Sequence, residues 1–415
     1  MRVLGIIAEY NPFHNGHLYQ LQKSIDMTEA DFVVAIVSGS FTQRGEPAIA
    51  SKWSRAEMAV RNGIDLIIEL PFVFACNNAE YFAKGAIEIL NRLGCVTHLS
   101  FGSESGDLTQ LKTAANFLSY ETDEFKNNLK SNLDAGLSYP KSRSEAVKVT
   151  LGEQYSNLMV DPNNILAIEY LKQLHLTNSD IIPVTVKRYI ADYHDKKLIG
   201  NIASASAIRK ALIGNEFNAD IIEKFIPQET LDVLIKNCNH SCLIHSNFKF
   251  DELYYNMVTS KILTTKCSDL KEIFSVAEGL ENKLKETIRI SNNLIELKDH
   301  LKSKRYTATR ISRILTHIAM GLTKTDFNDI LETNEYYAHI LGFNKKGAKL
   351  LKIIKNSEKA TLPCITNINK ESDSLRKCQL LLSYDLIASD FYNLLSGENL
   401  YNNSDQLHKP YMELY

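Results

Sequence analysis

The sequence predicts an α/β fold: a doubly wound, Rossmann-like parallel sheet over residues 1–212, followed by a mainly α-helical C-terminal domain over 213–415. Short apolar runs alternate with amphipathic stretches in the first half, the pattern of parallel strands joined by right-handed crossover helices. The first four runs each end at turn-forming residues. Beyond about residue 215 the strand-like runs fade and long amphipathic stretches take over.

Val3 to Ala8 is a short apolar run ended by Asn11-Pro12, as suits a buried parallel strand. A helix is expected from about Gly16, with Leu18, Leu21 and Ile25 on one apolar face. Phe32 to Val37 is a second strand stopped by Ser38-Gly39-Ser40. Ser54 to Asn62 is helical, and Ile64 to Leu70 is a third strand ended by Pro71. Ala79 to Leu93 is helical, and Val96 to Phe101 is a fourth strand closed by Gly102-Ser103. Residues 104–178 read as mostly helical, broken at Pro162-Asn163-Asn164 before a helix from Ile165 to Leu174. Ile181 to Val186 is a further strand leading to Lys187-Arg188, and the small polar run from Ile202 to Arg209 starts a helix. Leu253–Leu263, Val276–Leu297, Ala308–Met320 and Ala348–Ile354 are the amphipathic segments of the second half.

At 415 residues the chain exceeds one ordinary core, and 44% hydrophobic with 23% charged residues is the balance of a globular protein. No apolar stretch reaches the roughly 18 residues of a membrane span. Glu9 interrupts the first apolar run, so the N-terminus does not read as a signal peptide. A cytoplasmic protein with no membrane partner is expected. Seven scattered cysteines suit a reducing compartment. Cys238 and Cys242, with His240 and His245, are the one cluster resembling metal ligands. They lack a second cysteine pair, so a loop with free thiols is the plainer reading and no metal site is expected. A net charge of −2 does not announce a nucleic-acid binder, and RNA contact would need a local basic patch.

His14-Asn15-Gly16-His17 carries the chemistry. In a parallel sheet, ligands collect where strand carboxyl ends meet helix N-termini, and this motif lies between the first strand and the first helix. A spacing of three puts both imidazoles on one helical face. Gly16 lets a nucleotide approach the backbone closely, and the helix start offers free N–H groups and a positive dipole end to phosphate. Two imidazoles can donate hydrogen bonds to oxygens that gain charge during displacement at an α-phosphorus.

The run Glu9-Tyr10-Asn11-Pro12-Phe13-His14-Asn15-Gly16-His17 resembles the HxGH nucleotidyltransferase superfamily and, more narrowly, the bacterial tRNA(Met) cytidine acetate ligase family. Ser38-Gly39, Gln43 to Ala48, Lys52-Trp53, Ile68 to Pro71, Phe101 to Glu104, Pro162 to Leu166, Tyr193-His194-Asp195 and Lys304 to Thr307 carry the narrower resemblance along most of the chain. It implies that 1–212 is an ATP-binding catalytic domain and 213–415 a tRNA-binding domain. It further implies that acetate and ATP form acetyl-adenylate, which acetylates N4 of the wobble cytidine of elongator tRNA(Met). Mg²⁺ is expected to accompany ATP, because it offsets phosphate charge. No DNA partner is expected.

The resemblance assigns ATP contacts to Ile7, Ala8, Glu9, Tyr10, Asn11, Pro12, Phe13, His14, Asn15, Gly16, His17, Leu18, Tyr19 and Gln20, with His14 and His17 at the phosphates. Gly102, Asn163 and Arg188 complete the set. Asn163 is favoured over Asn164, although either could simply cap a helix, and Arg188 could be an exposed surface charge. Ser204, Ser206 and Arg209 match the superfamily's hydroxyl-rich phosphate signature, with Ala207 where relatives often carry a hydroxyl. A plain N-capped helix is the competing reading for Ser204. Lys52 and Arg55 are weaker candidates for phosphate or RNA, since loop cations are usually solvated.

For the RNA, Lys302, Lys304, Arg305, Arg310 and Arg313 cluster around Tyr306, with Arg310 and Arg313 on one helical face and Ile311, Ile314 and Leu315 on the other. A second basic group is Lys345, Lys346, Lys349, Lys352 and Lys355. Clustered cations with an available aromatic suit a phosphate backbone and a base, whereas a solvated helix face explains most such runs. Two other functions compete: an adenylyltransferase acting on a small phosphorylated metabolite, and a non-catalytic nucleotide- or RNA-binding protein. The extra half of the chain disfavours the first, and the intact histidine pair disfavours the second.

Overall fold

The computed structural model describes residues 1–188, 203–212, 219–238 and 249–414. The expected Tyr193-His194-Asp195 run lies outside these residues, as do His240, Cys242 and His245 of the cysteine–histidine cluster. The proposed boundary at 212/213 adjoins residues 213–218, which also lie outside them.

Five strands form the parallel part of the sheet: β1 (Val3–Ala8), β2 (Phe32–Ser38), β3 (Leu66–Leu70), β4 (His98–Ser103) and β5 (Ile182–Lys187). Between them run α1 (Asn15–Thr28), α2 (Lys52–Arg61), α3 (Phe72–Ala75) and α4 (Ala79–Arg92). A helical excursion follows: α5 (Leu108–Ser119), α6 (Asp123–Asp134), α7 (Tyr139–Thr150), α8 (Glu153–Leu158) and α9 (Pro162–Leu176). These agree with the expected elements to within a few residues. After β5 come α10 (Ala205–Leu212), α11 (Ala219–Ile222), α12 (Gln228–Cys238), α13 (Lys249–Thr264), α14 (Cys267–Glu272), α15 (Leu280–Thr287) and α16 (Leu294–Leu301). The chain continues through α17 (Ala308–Met320), α18 (Lys324–Thr333), α19 (Lys345–Lys355) and α20 (Gln379–Leu395). The amphipathic stretch from Val276 to Leu297 is therefore two helices, the second capped by Asn293, whose side chain accepts from Glu296 N.

The second half is mainly helical, but it also returns strands to the sheet. β6 (Ala338–Asn344) pairs antiparallel with β3, and the short β7 (Cys364–Ile365) and β8 (Tyr411–Glu413) pair parallel with β6. The sheet order is β5-β4-β1-β2-β3-β6-β7, with β8 also on β6. The sheet is thus mixed rather than wholly parallel. Leu66 to Leu70 is buried on both faces, and its free edge is covered by a strand from some 270 residues later, a partner that no local pattern announces.

Alternate residues of the central strands feed two cores. Leu4, Ile6, Val33, Ala35 and Val37 pack with α2 and with the helices that follow α10, while Val3, Ile7, Val34 and Ile36 pack with α4, α5, α9 and the C-terminal helices. Burial on both faces explains why these strands read as continuous apolar runs. Among the described residues, no helix is long and apolar enough to cross a membrane.

Candidate functional site

A cleft of roughly 240 Å³ opens at the carboxyl ends of β1, β4 and β5. After Ala8 the chain reverses through Tyr10, at φ 47°, and the cis Asn11–Pro12 peptide, then enters α1. Asn11 Oδ1 accepts from Ile49 N at 2.7 Å, and Glu9 Oε1 accepts from Gln43 N at 2.8 Å. The turn after β1 is therefore held against the loop after β2.

His14 is the N-cap of α1. Its Nδ1 accepts from Gly16 N at 3.0 Å, and His17 Nδ1 accepts from His14 N at 3.3 Å. The two residues thus form a capping box built from imidazoles. A ring nitrogen that accepts a hydrogen bond carries no proton, so each neutral ring bears its proton on Nε2. The rings stack with centroids 3.7 Å apart, and Tyr10 packs edge-on against His17. Burial, with the nearby Arg188 and Arg209, pushes His14 down to about 3; burial, His14 and Arg188 hold His17 well below the ordinary histidine range. The pair is uncharged at neutral pH, with two N–H donors.

On the opposite wall, Arg188 Nη1 donates to Asn163 Oδ1 at 3.1 Å, and Asn163 Nδ2 donates to Glu104 Oε1 at 2.6 Å. The Glu104 carboxylate also accepts the backbone N–H groups of Asn163 and Asn164. In return, Asn164 Oδ1 accepts from Glu104 N and Ser105 N. The two asparagines divide the work: Asn163 lines the cleft and holds Arg188, whereas Asn164 is buried and fixes the loop after β4. A Cβ on Gly102 would lie 3.1 Å from Arg188 Cγ, so glycine allows the arginine to lie flat over the strand end. Ser206, in the first turn of α10, lines the cleft, and Arg209, in its last turn, donates from Nη1 to Asn11 O at 2.8 Å.

Of the expected ATP contacts, Ile7, Ala8, Glu9, Tyr10, Asn11, His17, Gln20, Gly102, Asn163, Arg188, Ser206 and Arg209 line the cleft. Gly16 and Tyr19 line a narrow groove beside it, also bordered by His17 and Arg188. The remainder stand behind the wall. Pro12 and Phe13 are buried, Leu18 packs on the core, and Asn15 Nδ2 donates to Lys224 O. Ser204 is exposed and caps α10 by accepting from Ala207 N, as its plainer reading held. His14 is 2% exposed, with its ring stacked on the His17 ring that lines the cleft. Gln43, Arg44, Phe82, Phe101, Pro162, Leu166, Tyr170 and Ala205 complete the lining without having been assigned to it from sequence. The aromatic and aliphatic members lie on core-facing strand and helix positions, where a cleft wall and a core face look alike.

Lys52 and Arg55 are corrected outright. Lys52 is 2% exposed, with Nζ 2.8 Å from both Glu69 carboxylate oxygens and 2.5 Å from Asp405 Oδ2. Burial opposes its charge, but Asp405 and Glu69 outweigh burial and raise its pKa. Arg55 is fully buried and donates to the carbonyls of Ala50, Glu9 and Gly39. Both cations are structural partners of residues distant in sequence.

In the basic segment before and within α17, Lys302, Lys304 and Arg305 are exposed, and Arg305 pairs with Glu278 at 3.1 Å. Arg310 lies over the Tyr306 ring at 4.3 Å, and Arg313 Nη1 donates to Gln43 O at 3.2 Å. This brings α17 against the rim of the cleft. The second basic group lies elsewhere. Asn344, which caps α19, donates to Asp65 at the amino end of β3, and Lys346 donates to Asp31 O just before β2. Among the described residues, no group of three His, Cys, Asp or Glu side chains could hold a metal ion.

Residues 1–407 match the family described as HIGH Nucleotidyl Transferase. The chain is 41% identical over 401 residues to the tRNA(Met) cytidine acetate ligase of Acetivibrio thermocellus, covering 94% of each protein. It is 38% identical to the enzyme of that name from Clostridium tetani, with 100% of both chains covered. Crystal structures of Thermotoga maritima TmcAL, without ligand and bound with alpha-thio ATP, superpose with TM-scores of 0.92 and 0.90 at 30% identity over the full length of both chains. A histidine capping box at a strand end, a basic cleft facing it and full-length similarity converge on one conclusion: this chain belongs to the tRNA(Met) cytidine acetate ligase family of HIGH nucleotidyl transferases.

Proposed function

We propose that the protein joins acetate to a tRNA(Met) cytidine at the expense of ATP, through acetyl-adenylate, giving N4-acetylcytidine at the wobble position of the elongator tRNA. The observation that carries this reading is the neutral histidine pair, with two Nε2–H donors at a helix N-terminus and a cleft holding Arg188 and Arg209 beside them. The relatives bear the name of that activity, and a structural neighbour is bound with an ATP analogue.

In the first step an acetate oxygen attacks the α-phosphorus, and the bond to the β-phosphate oxygen breaks to release pyrophosphate. Negative charge grows on the α-phosphoryl oxygens, where Nε2–H of His14 and His17 stabilise it without a charge of their own. Donors fixed in advance by backbone bonds need no reorganisation when charge develops. Arg188 and Arg209 attract the triphosphate and pyrophosphate. In the second step the cytosine N4 attacks the acetyl carbonyl, AMP leaves, and N4 loses one proton. The mixed anhydride supplies the leaving group that acetate itself lacks. A wobble base is unpaired in its loop and can be splayed into a pocket. Mg²⁺ would arrive on the phosphate oxygens, offsetting their charge. Ile7 to Gln20, Gly102, Asn163, Arg188, Ser206 and Arg209 are the proposed ATP site.

The test is incubation with labelled acetate, ATP and bacterial tRNA, followed by nuclease digestion. Label in N4-acetylcytidine is the expected outcome. ATP–pyrophosphate exchange that ignores acetate would instead indicate an adenylyltransferase for another acceptor, and no turnover of ATP would indicate a binding protein.

A further inference from the structure

A second cleft lies between the helical excursion and the segment leading into α17. Lys126 and Lys130 of α6 and Tyr139 of α7 face Arg305 and Arg310 across it. Lys126 and Lys130 are four residues apart and so share one face of α6. Tyr139 is 48% exposed, which leaves its ring available for stacking. Two acids, Asp134 and Glu278, also line the cleft, and Glu278 is paired with Arg305. Four cations against two acids leave it basic on a chain whose net charge is −2.

The helix that borders this cleft also reaches the loop that lines the nucleotide site. Arg310 and Arg313 are one turn apart on α17, about 4.5 Å along its axis. Arg313 reaches Gln43 O, and Thr316 Oγ1 donates to Gly45 O, so α17 and the loop after β2 are fastened together. Gln43 and Arg44 of that loop line the nucleotide cleft opposite Arg209. A row of cations thus runs from α6 over α17 to the site of chemistry. The exposed lysines of α19 start at the amino ends of β2 and β3, the other end of the sheet.

We propose that the cleft between α6–α7 and the Arg305–Arg313 segment is the docking groove for the phosphate backbone of the RNA substrate, and that the target base enters past Gln43 and Arg44. This rests on the activity proposed above. A row of basic side chains with an aromatic beside it binds a nucleic-acid backbone through counterion release and a base through stacking. Lys126, Lys130 and Tyr139 belong to the half of the chain that holds the nucleotide, so the RNA bridges both halves.

The full-length protein is tested by filter binding of a tRNA transcript between 50 and 200 mM salt, in parallel with acetate-dependent ATP–pyrophosphate exchange. Lys126→Glu/Lys130→Glu weakens tRNA binding at least about tenfold and flattens the plot of log affinity against log salt by about two, one for each lost phosphate contact. Exchange stays within about twofold of the parent, which also reports an intact fold. Lys126→Gln and Lys130→Gln, each made alone, show the same trend at about half the change in slope. Lys349→Glu/Lys352→Glu on α19 leaves binding within about twofold. Parent-like binding by the α6 variants overturns the proposal, as does an equal loss in the α19 variant. Absence of acetate-dependent exchange in the parent protein would count against acetate activation instead, and the binding measurement would still decide the groove.

Discussion

His14 performs two tasks with two nitrogens, and they can be separated. Its Nδ1 caps α1 by accepting from Gly16 N, and its Nε2–H is the proposed donor to the α-phosphoryl group. His14→Asn places an amide oxygen near the position of Nδ1, so the cap survives, but nothing replaces Nε2–H. His14→Ala removes both. A helix N-cap contributes about 1 kcal/mol, and one donor to a developing oxyanion is worth about 2.7–4 kcal/mol, or 10²–10³ in rate. Both variants should therefore lose at least about a hundredfold in acetate-dependent ATP–pyrophosphate exchange at saturating ATP. Only His14→Ala should also lose about 1 kcal/mol of stability, measured by denaturant unfolding. Nucleotide affinity, read by equilibrium binding, should change much less than the rate, because the donor acts on charge that appears only in the transition state. His14→Asn retaining more than about a tenth of the exchange rate would refute the reasoning, and so would an ATP affinity that falls in step with it.

Lys52→Met would leave Glu69 and Asp405 as buried carboxylates without their cation; a loss of about 3–5 kcal/mol in unfolding free energy is expected, with ATP affinity of the folded protein within about twofold. Unchanged stability with weakened ATP or tRNA binding would restore Lys52 as a ligand residue. Asn163→Ala removes the hydrogen bond that Arg188 Nη1 donates to Asn163 and should weaken ATP binding with little change in stability. Asn164→Ala leaves Glu104 N and Ser105 N without their acceptor and should cost about 1–3 kcal/mol; the reverse pattern would mean that Asn164 serves the nucleotide. Burial, above all, lowers His317 from 6.5 to about 4, so the unfolded chain binds its proton more readily and the stabilisation present above pH 6.5 fades as pH falls toward 4. Linkage puts that loss at about 2 kcal/mol between pH 8 and pH 5. Asp385, raised to about 8 by burial and Glu69, acts in the opposite direction over this window, so the readout is the stability gap between the parent and His317→Gln. That gap should narrow by about 2 kcal/mol on going from pH 8 to pH 5 in parallel denaturant titrations, and a constant gap would contradict the assignment.

The strand–helix alternation of residues 3–103 was legible because each element's signal is local. Apolar runs such as Phe32 to Val37 mark strands buried on both faces, and His14-Asn15-Gly16-His17 has its chemistry and its turn within four residues. The capping reading of Ser204 was also visible from sequence, because capping is a short-range bond, whereas Asn164 accepts from Glu104 N and Ser105 N some 60 residues away. Tertiary structure decided whatever depended on a distant partner. Lys52 looked like a loop cation until Asp405, more than 350 residues away, was seen beside it. Arg55 is spent on backbone carbonyls, β6 joins β3 across the length of the chain, and Phe82, Leu166 and Tyr170 turn a core face into a cleft wall. Periodicity reports which side of an element is dry but not what lies against it. A buried charge is recognisable only once its counter-charge is in place, because in water either alone would remain at the surface.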